Sequence, residues 1–195
     1  SIGGTNSDRA NSLKVDSNNN IYVTGYFSDT VDFDPGSGVF ELISNGNSDA
    51  FLVKLNENGE LIWAKTWGGQ GSDNSHSVVV DNNFGVSVFG TYEQVVDFDP
   101  SPNILLLDSG GVFLSKFDLN GNLEWTKQFE TSFHWATNFS HTVDLQGNIY
   151  ACGGFHGITD FDPGPGVATL NSAFGSYFIT KIDTDGNLIW KEQFP

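Results

Sequence analysis

The feature that most constrains this chain is that it says the same thing three times. Asp16-Ser-Asn-Asn-Asn-Ile-Tyr-Val-Thr-Gly25 has counterparts running from Asp81 to Gly90 and from Asp144 to Gly153. Each is followed, at the same distance, by Asp-Phe-Asp-Pro: Asp32 to Pro35, Asp97 to Pro100 and Asp160 to Pro163. Phe51-Leu-Val-Lys54, Phe113-Leu-Ser-Lys116 and Phe178-Ile-Thr-Lys181 come next. A Gly turn and Leu-x-Trp then close each repeat at Trp63, Trp125 and Trp190, with spacings of 62 and 65 residues. A period in this range is the mark of stacked supersecondary units, which bury their apolar faces only against one another.

The unit itself reads as β. Ile21-Tyr-Val-Thr-Gly-Tyr-Phe27 is dense in aromatic and β-branched residues. No segment carries a sustained 3.6-residue apolar period, so almost no helix is expected. Asn58-Gly59, Asn120-Gly121 and Asp185-Gly186 are hairpin turns, because such pairs accept positive φ. Four main strands per repeat follow, in the first at about residues 9–15, 20–27, 50–55 and 61–66. The expectation is an all-β chain of three consecutive four-stranded antiparallel β-propeller blades, with an added short hairpin in each long segment. The blades would lie at about 1–66, 67–128 and 129–195 of one repeat region.

These residues resemble the bacterial seven-bladed β-propeller repeat family (SBBP). Gly68-Gly69 with Asp73, the Asn-Ile-Tyr-Val-Thr-Gly strand, Asp49-Ala-Phe-Leu-Val-Lys-Leu55 and Asn58-Gly-x-Leu-x-Trp63 carry the resemblance, which covers essentially the whole chain. It implies a propeller of secreted or bacterial cell-surface proteins, often within long multidomain chains, and no catalytic residues. Three blades do not close a ring of the usual four to eight. Ser1-Ile2-Gly3-Gly4 matches Thr66-Trp67-Gly68-Gly69, and Phe194 matches Trp67 and Phe129. The pattern is cut within a repeat at both ends and the chain has no methionine, so a processed product or a piece of a longer array is expected. Its partners would then be further blades of the same longer chain, or other copies in a self-assembly.

Charge narrows the partners. The formal net charge is −16, which repels phosphate backbones and disfavours nucleic acid. No apolar run approaches a membrane span. Six of the eight cations recur at two repeat positions, Lys54, Lys116 and Lys181, then Lys65, Lys127 and Lys191. A single cysteine, Cys152, rules out an internal disulfide. It takes the strand position of Thr24 and Phe89, where a buried thiol is expected.

In a meander, successive connections alternate between two ends. The short turns share one end. The long Asp-Phe-Asp-Pro segments, at about 28–49, 93–111 and 156–176, share the other with the repeat junctions that carry Asp8 and Asp73. Binding is expected on that long-loop face. Two readings of Asp-Phe-Asp-Pro compete there. The pairs Asp32 and Asp34, Asp97 and Asp99, Asp160 and Asp162 could bracket Ca²⁺ if carbonyls add ligands. Alternatively the carboxylates cap a turn. Recurrence in every repeat favours the turn, since a ligand site is usually local. Asp183-Thr-Asp-Gly186 begins like a calcium loop but lacks the later acidic ligands, and is read as a hairpin turn.

The third repeat departs from the pattern. It has Thr131-Ser132 in place of Gly-Gly and Ala136 in place of Asp8 and Asp73, and its junction reads Phe133-His134-Trp135. His156 lies in the long segment of the same repeat. Such an aromatic and imidazole cluster can stack on a sugar or seat a partner's side chain, or simply pack between blades. The function expected is a non-catalytic extracellular module, a scaffold or binding and adhesion surface for protein or carbohydrate. The alternative is part of a secreted polysaccharide-acting enzyme with carboxylates on the long-loop face. Repeat-symmetric Asp residues argue against the alternative, because catalysis should break the symmetry.

Overall fold

The computed structural model describes residues 2–129 and 137–194, and among them it is built of strands, with no helix. The first repeat supplies β1 (Arg9–Val15), β2 (Ile21–Phe27), the short β3 (Thr30–Asp32) and β4 (Glu41–Ile43), then β5 (Asp49–Leu55) and β6 (Leu61–Gly69). The second supplies β7 (Asn74–Asp81), β8 (Gly85–Tyr92), the short β9 (Val96–Asp97) and β10 (Leu106–Leu107), then β11 (Gly111–Phe117) and β12 (Leu123–Phe129). The third supplies β13 (Thr137–Val143), β14 (Ile149–Asp160), β15 (Thr169–Ile182) and β16 (Leu188–Phe194). The strands fall within a residue or so of the expected positions, except that β6 runs on through Gly68 and Gly69.

Each repeat forms one antiparallel meander: β1-β2-β5-β6, β7-β8-β11-β12 and β13-β14-β15-β16. The added hairpins are present and differ. β3 and β4 pair with each other and Asp32 of β3 makes a single bridge to Gly3, whereas β9 pairs with β6 of the preceding blade through Gly68↔Asp97 and Gly69↔Val96. Here the double glycine is a requirement of space. A Cβ on Gly68 would meet the Asp49 carboxyl carbon at 2.2 Å, and one on Gly69 would meet the Val95 carbonyl oxygen at 2.1 Å. In the third repeat the hairpin merges with the blade, so that β14 and β15 pair from Ile149↔Ile182 out to Asp160↔Thr169.

Strand alternation sends side chains to the two faces of each blade. Tyr22, Ala50 and Leu52 of the first blade meet Val86, Val88, Phe113 and Phe117 of the second. The other face of the second blade, with Phe89, Val112 and Leu114, meets Ile149, Ala151, Phe178 and Ile182 of the third. An aromatic near the end of one blade's outer strand reaches into the next. Trp67 is 2% exposed, edge-on to Phe113 at 6.0 Å and tilted over Phe117 at 5.4 Å. Phe129 takes the same place before the third blade, against Phe161.

The recurring lysines and tryptophans form a latch between neighbouring blades. Lys54 Nζ and Trp63 Nε1 both donate to the Leu119 carbonyl oxygen, in a turn of the second blade, at 3.0 and 3.4 Å. One blade on, Lys116 Nζ and Trp125 Nε1 donate to the Thr184 carbonyl oxygen at 3.2 and 3.1 Å. The turn glycines lie under the same residues: Lys65 and Trp63 cover Gly121, and Lys127 covers Gly186. The turns themselves are held by one side chain each. Asp118 Oδ1 accepts the Asn120 and Asn122 N–H groups at 2.8 and 2.9 Å, and Asp183 Oδ1 accepts those of Asp185 and Asn187 at 3.0 and 2.8 Å. Asp183 to Gly186 is therefore a turn.

Candidate functional site

The long-loop end is organised by carboxylates that hold backbone. Asp32 Oδ1 accepts the Asp34 N–H at 3.0 Å and the Phe40 N–H at 2.8 Å, and these bonds hold its carboxyl below the usual range. Asp97 Oδ1 does the same for Asp99 and Leu105 at 3.1 and 2.9 Å, and Asp160 Oδ1 for Asp162 and Ala168 at 3.0 and 2.8 Å. The second aspartates cap the following turn. Asp34, Asp99 and Asp162 each accept the N–H two residues on, from Gly36, Ser101 and Gly164. Phe33, Phe98 and Phe161, between the two carboxylates, are buried in the blade core. Each Asp-Phe-Asp-Pro is thus an apolar anchor with hydrogen-bonded shoulders, which is the turn chemistry weighed against a Ca²⁺ site.

The junction aspartates also tie backbone. Asp8 Oδ2 accepts the Gly4 N–H at 2.7 Å and Oδ1 the Ser28 N–H at 3.2 Å. Asp73 repeats this with Gly69 at 2.7 Å and Glu93 at 3.0 Å. Beside it Asp49, a residue of the first repeat alone, accepts the Asn45 N–H at 3.1 Å. Burial pushes both the Asp49 and the Asp73 carboxyl up to about 6, and for Asp73 the Asp49 charge adds to the rise.

The symmetry breaks at the long-loop end of the third blade. Between Phe155↔Ser176 and Gly157↔Ser172 the register slips, so that His156 alone faces the three residues Ala173, Phe174 and Gly175. Gly157 and Gly175 make the bend, with φ of 79° and 90°. The extra chain bulges outward and lifts Phe174 to 98% exposure, while Tyr177 beside it is 58% exposed. Together with Gly154, Phe155, His156 and Ser176 they line a cleft of about 290 Å³. A polar rim is tied down below it. Ser172 Oγ and Ser176 Oγ are 2.9 Å apart, and Gln193 Nε2 donates to Ser176 Oγ at 3.0 Å and to the Asn171 carbonyl at 3.3 Å. Exposed rings beside a shallow cleft are the features of a recognition surface.

Of the residues singled out from the sequence, His156 is in this cleft. Phe133, His134 and Trp135 lie outside the described residues. Sequence reasoning missed Phe174 and Tyr177. The one signal available was an aromatic before a glycine in an otherwise polar stretch, Ala173-Phe174-Gly175. Two other histidines are structural. His76 Nε2 lies 3.0 Å from Thr91 Oγ1. His141 is sandwiched between blades, with Nδ1 2.9 Å from Ser77 Oγ and Nε2 2.9 Å from Ser87 Oγ, and burial pushes it down to about 4. Cys152 corrects an expectation. It is exposed, because it lies on the outward face of the third blade where no further blade covers it. Among the described residues no group of three or more His, Cys, Asp or Glu side chains is arranged to hold a metal ion.

No family model matches the chain. An uncharacterised WD repeat-containing protein of Acanthamoeba polyphaga mimivirus is 35% identical to it over 96 residues, which is 48% of this chain and 7% of the relative. The match spans less than a tenth of that protein's length. It agrees with a repeat fold of β-propeller type and does not extend to the bacterial seven-bladed family.

Proposed function

We propose that this chain is a β-propeller-type scaffold that binds a partner protein through the aromatic cleft of its third blade. The observation that carries the reading is the outward bulge of β15, which places Phe174 almost wholly in solvent beside Tyr177 and His156. The Asp-Phe-Asp-Pro carboxylates and the junction residues Asp8 and Asp73 recur and hold backbone, whereas among the described residues this bulge occurs once. Aromatic anchors of this kind dominate the energetics of protein interfaces. A net charge of −16 favours a partner segment that is basic or neutral.

Peptide display against the immobilised chain tests this, run beside a glycan array. The expected result is enrichment of peptides with an apolar or aromatic side chain next to a basic one. Binding should fall roughly thirtyfold or more in Phe174→Ala, the weakening that loss of a hot-spot residue brings. Retention on glycans, equally sensitive to Phe174→Ala, would transfer the site to carbohydrate, for which Ser176 and the exposed Gln193 beside it supply polar partners. Peptide binding that Phe174→Ala leaves unchanged would remove the cleft from the function.

A further inference from the structure

The hairpin of the second blade ends a sheet of six strands, and its last strand is an open edge. β9 pairs with β6 on one side and with β10 on the other, and among the described residues no strand pairs with the far side of β10. The Phe98 N–H donates to the Leu105 carbonyl at 2.9 Å, so Phe98 and Leu105 form a hydrogen-bonded pair. The next pair, Asp97↔Leu106, is then of the alternate kind, whose main-chain groups turn outward. The N–H and C=O of Leu106 therefore point away from β9. Those of Asp108 point the same way, and the Asp108 carbonyl accepts from Tyr92 Oη and Gln128 Nε2 at 3.0 and 3.2 Å. Leu106, and Ile104 toward the hairpin tip, are left as the open edge.

The side chains set this edge apart from its two counterparts. Leu105 and Leu107 pack on the core between the first and second blades, which fixes the strand. Ile104 and Leu106 stand on the opposite face at 74% and 58% exposure, and Val95, diagonal to Leu106 across the hairpin, is 51% exposed. The second blade has a neighbour on each side, and these residues are exposed all the same. In the first blade Phe33 and Phe40 bond as Phe98 and Leu105 do, and Glu41 holds the place of Leu106. In the third, Phe161 and Ala168 bond so, and Thr169 holds that place. A charged or polar side chain on an edge deters the addition of another strand. The second blade has neither, and Ile104-Leu-Leu-Leu107 is the longest aliphatic run in the chain.

We propose that β10 receives an added strand: an extended segment of a partner protein, aliphatic at its centre and basic at its ends, pairs with the Leu106 edge. A donor and an acceptor presented together along a strand are met by another peptide main chain, and the side chains beside them select its sequence. Ile104, Leu106 and Val95 call for aliphatic residues. Charge calls for the basic ends, since residues 93–108 hold Glu93, Asp97, Asp99 and Asp108 and no lysine or arginine. The same four acids disfavour a second copy of this hairpin, which would set like charges side by side. The edge lies on a different blade from the Phe174 cleft and uses none of its residues.

Hydrogen exchange at single amides, followed by NMR on the 195-residue chain, reads the edge directly. In the free chain the Leu106 amide should exchange freely, and the Leu107 amide, inside the ladder to Val96, far more slowly. The peptide Lys-Val-Thr-Val-Thr-Val-Lys should slow exchange at Leu106 by roughly tenfold or more and leave Leu107 unchanged. The same peptide N-methylated at its valines has no donor for the edge and should do nothing. Leu106→Pro removes the outward N–H without breaking a bond inside the sheet, a change that edge strands tolerate. It should weaken binding of the unmodified peptide by about tenfold or more, whereas Phe174→Ala should leave that binding as it is. Exchange at Leu106 that does not slow at about 1 mM peptide, a weak affinity for any specific site, overturns the proposal. Equal binding of the N-methylated peptide overturns it as well, whether or not Leu106→Pro folds. So does protection of Leu106 that rises with chain concentration in the absence of peptide, which would assign the edge to a second copy.

Discussion

The second and third blades are built from the same repeat, yet only one of them is enclosed. In the second, Phe89 points to the third blade and Val88 to the first, and both are 0% exposed. In the third, Cys152 and Tyr177 stand where Phe89 and Val112 stand, with solvent beyond them. The pleat decides which face a residue takes, and the neighbour decides whether that face is a core. The long-loop ends differ as well. The hairpin of the second blade pairs back onto the first blade, while that of the third is fused to its own strands and bulges at Phe174. Where the repeat is obeyed the residues hold the scaffold, and where it is broken an exposed aromatic surface appears.

Position-matched truncation gives the largest test of that contrast. Phe89→Ala should cost about 3–5 kcal/mol in urea unfolding, as a large aromatic removed from a packed interior. Cys152→Ala, at the same repeat position, should change stability by less than about 0.5 kcal/mol in dilute solution. Equal costs would mean that the outward face of the third blade is as enclosed as the interior of the second.

The boundary between these two blades also carries a titrating group. His141 is pushed down to about 4 by burial, so it stays neutral in the fold and takes up its proton near 6.5 when unfolded. Its stabilising contribution is complete above about pH 6.5 and is lost as the pH falls through 4, a span worth about 3 kcal/mol. Asp49 and Asp73, pushed up to about 6, act in the opposite sense. Their contribution is fully present below about 3.8 and is lost as the pH rises through 6. The wild-type profile mixes the two trends, and a variant separates them. The stability difference between wild type and His141→Gln should shrink by about 3 kcal/mol from pH 6.5 to 4. A difference that does not vary with pH would mean that His141 is solvated.

A smaller effect distinguishes a closed latch from an open one. Lys116→Met keeps the apolar stem but removes the bond to the Thr184 carbonyl and the ion pair to Glu124 at 3.1 Å. A loss of about 1–2 kcal/mol is expected in thermal unfolding. Among the described residues the contacts of Lys181 are to Asp144 and Tyr150 of its own blade, so the melting curve of Lys181→Met should move less than that of Lys116→Met. The reverse order would show that the latch contributes nothing across the blade boundary.

Most of the scaffold was legible in the sequence because it recurs. Repetition fixed the strand positions, the turns and the two ends of each blade, and it singled out the lysines and tryptophans before their role was visible. That role was not legible: the acceptors at Leu119 and Thr184 are main-chain carbonyls, which have no residue signature and lie 65 and 68 residues from Lys54 and Lys116. Cys152 was misread because strand position gives direction and not coverage. The cleft was half legible. His156 stood out as a departure from the repeat, but the slip that lifts Phe174 depends on Gly157 and Gly175 both bending where the hairpin joins the blade. The Asp49 charge acts on Asp73 from 24 residues away in sequence, and only the fold reveals it.

Replacing a carboxylate of the Asp-Phe-Asp-Pro loops by its amide should give the smallest effect of all, and the comparison with a metal site makes that informative. A Ca²⁺ site needs six to eight oxygen ligands, with carboxylates turned toward the ion. Here Asp97 Oδ1 faces the Asp99 and Leu105 N–H groups, and the same arrangement recurs at Asp32 and Asp160. If the loop is a turn, Asp97→Asn keeps an acceptor for those two donors and should cost less than about 0.5 kcal/mol. Asp97→Ala leaves both donors without it and should cost about 1–3 kcal/mol. Melting curves in EDTA, Ca²⁺ and Mg²⁺ at equal ionic strength should then coincide. If the loop binds calcium, the ion stabilises the native state by mass action. Ca²⁺ but not Mg²⁺ would raise the melting temperature, EDTA would reverse it, and Asp97→Asn would abolish the rise while leaving the metal-free curve in place. Only in that case do the repeated carboxylates do more than hold their own loops.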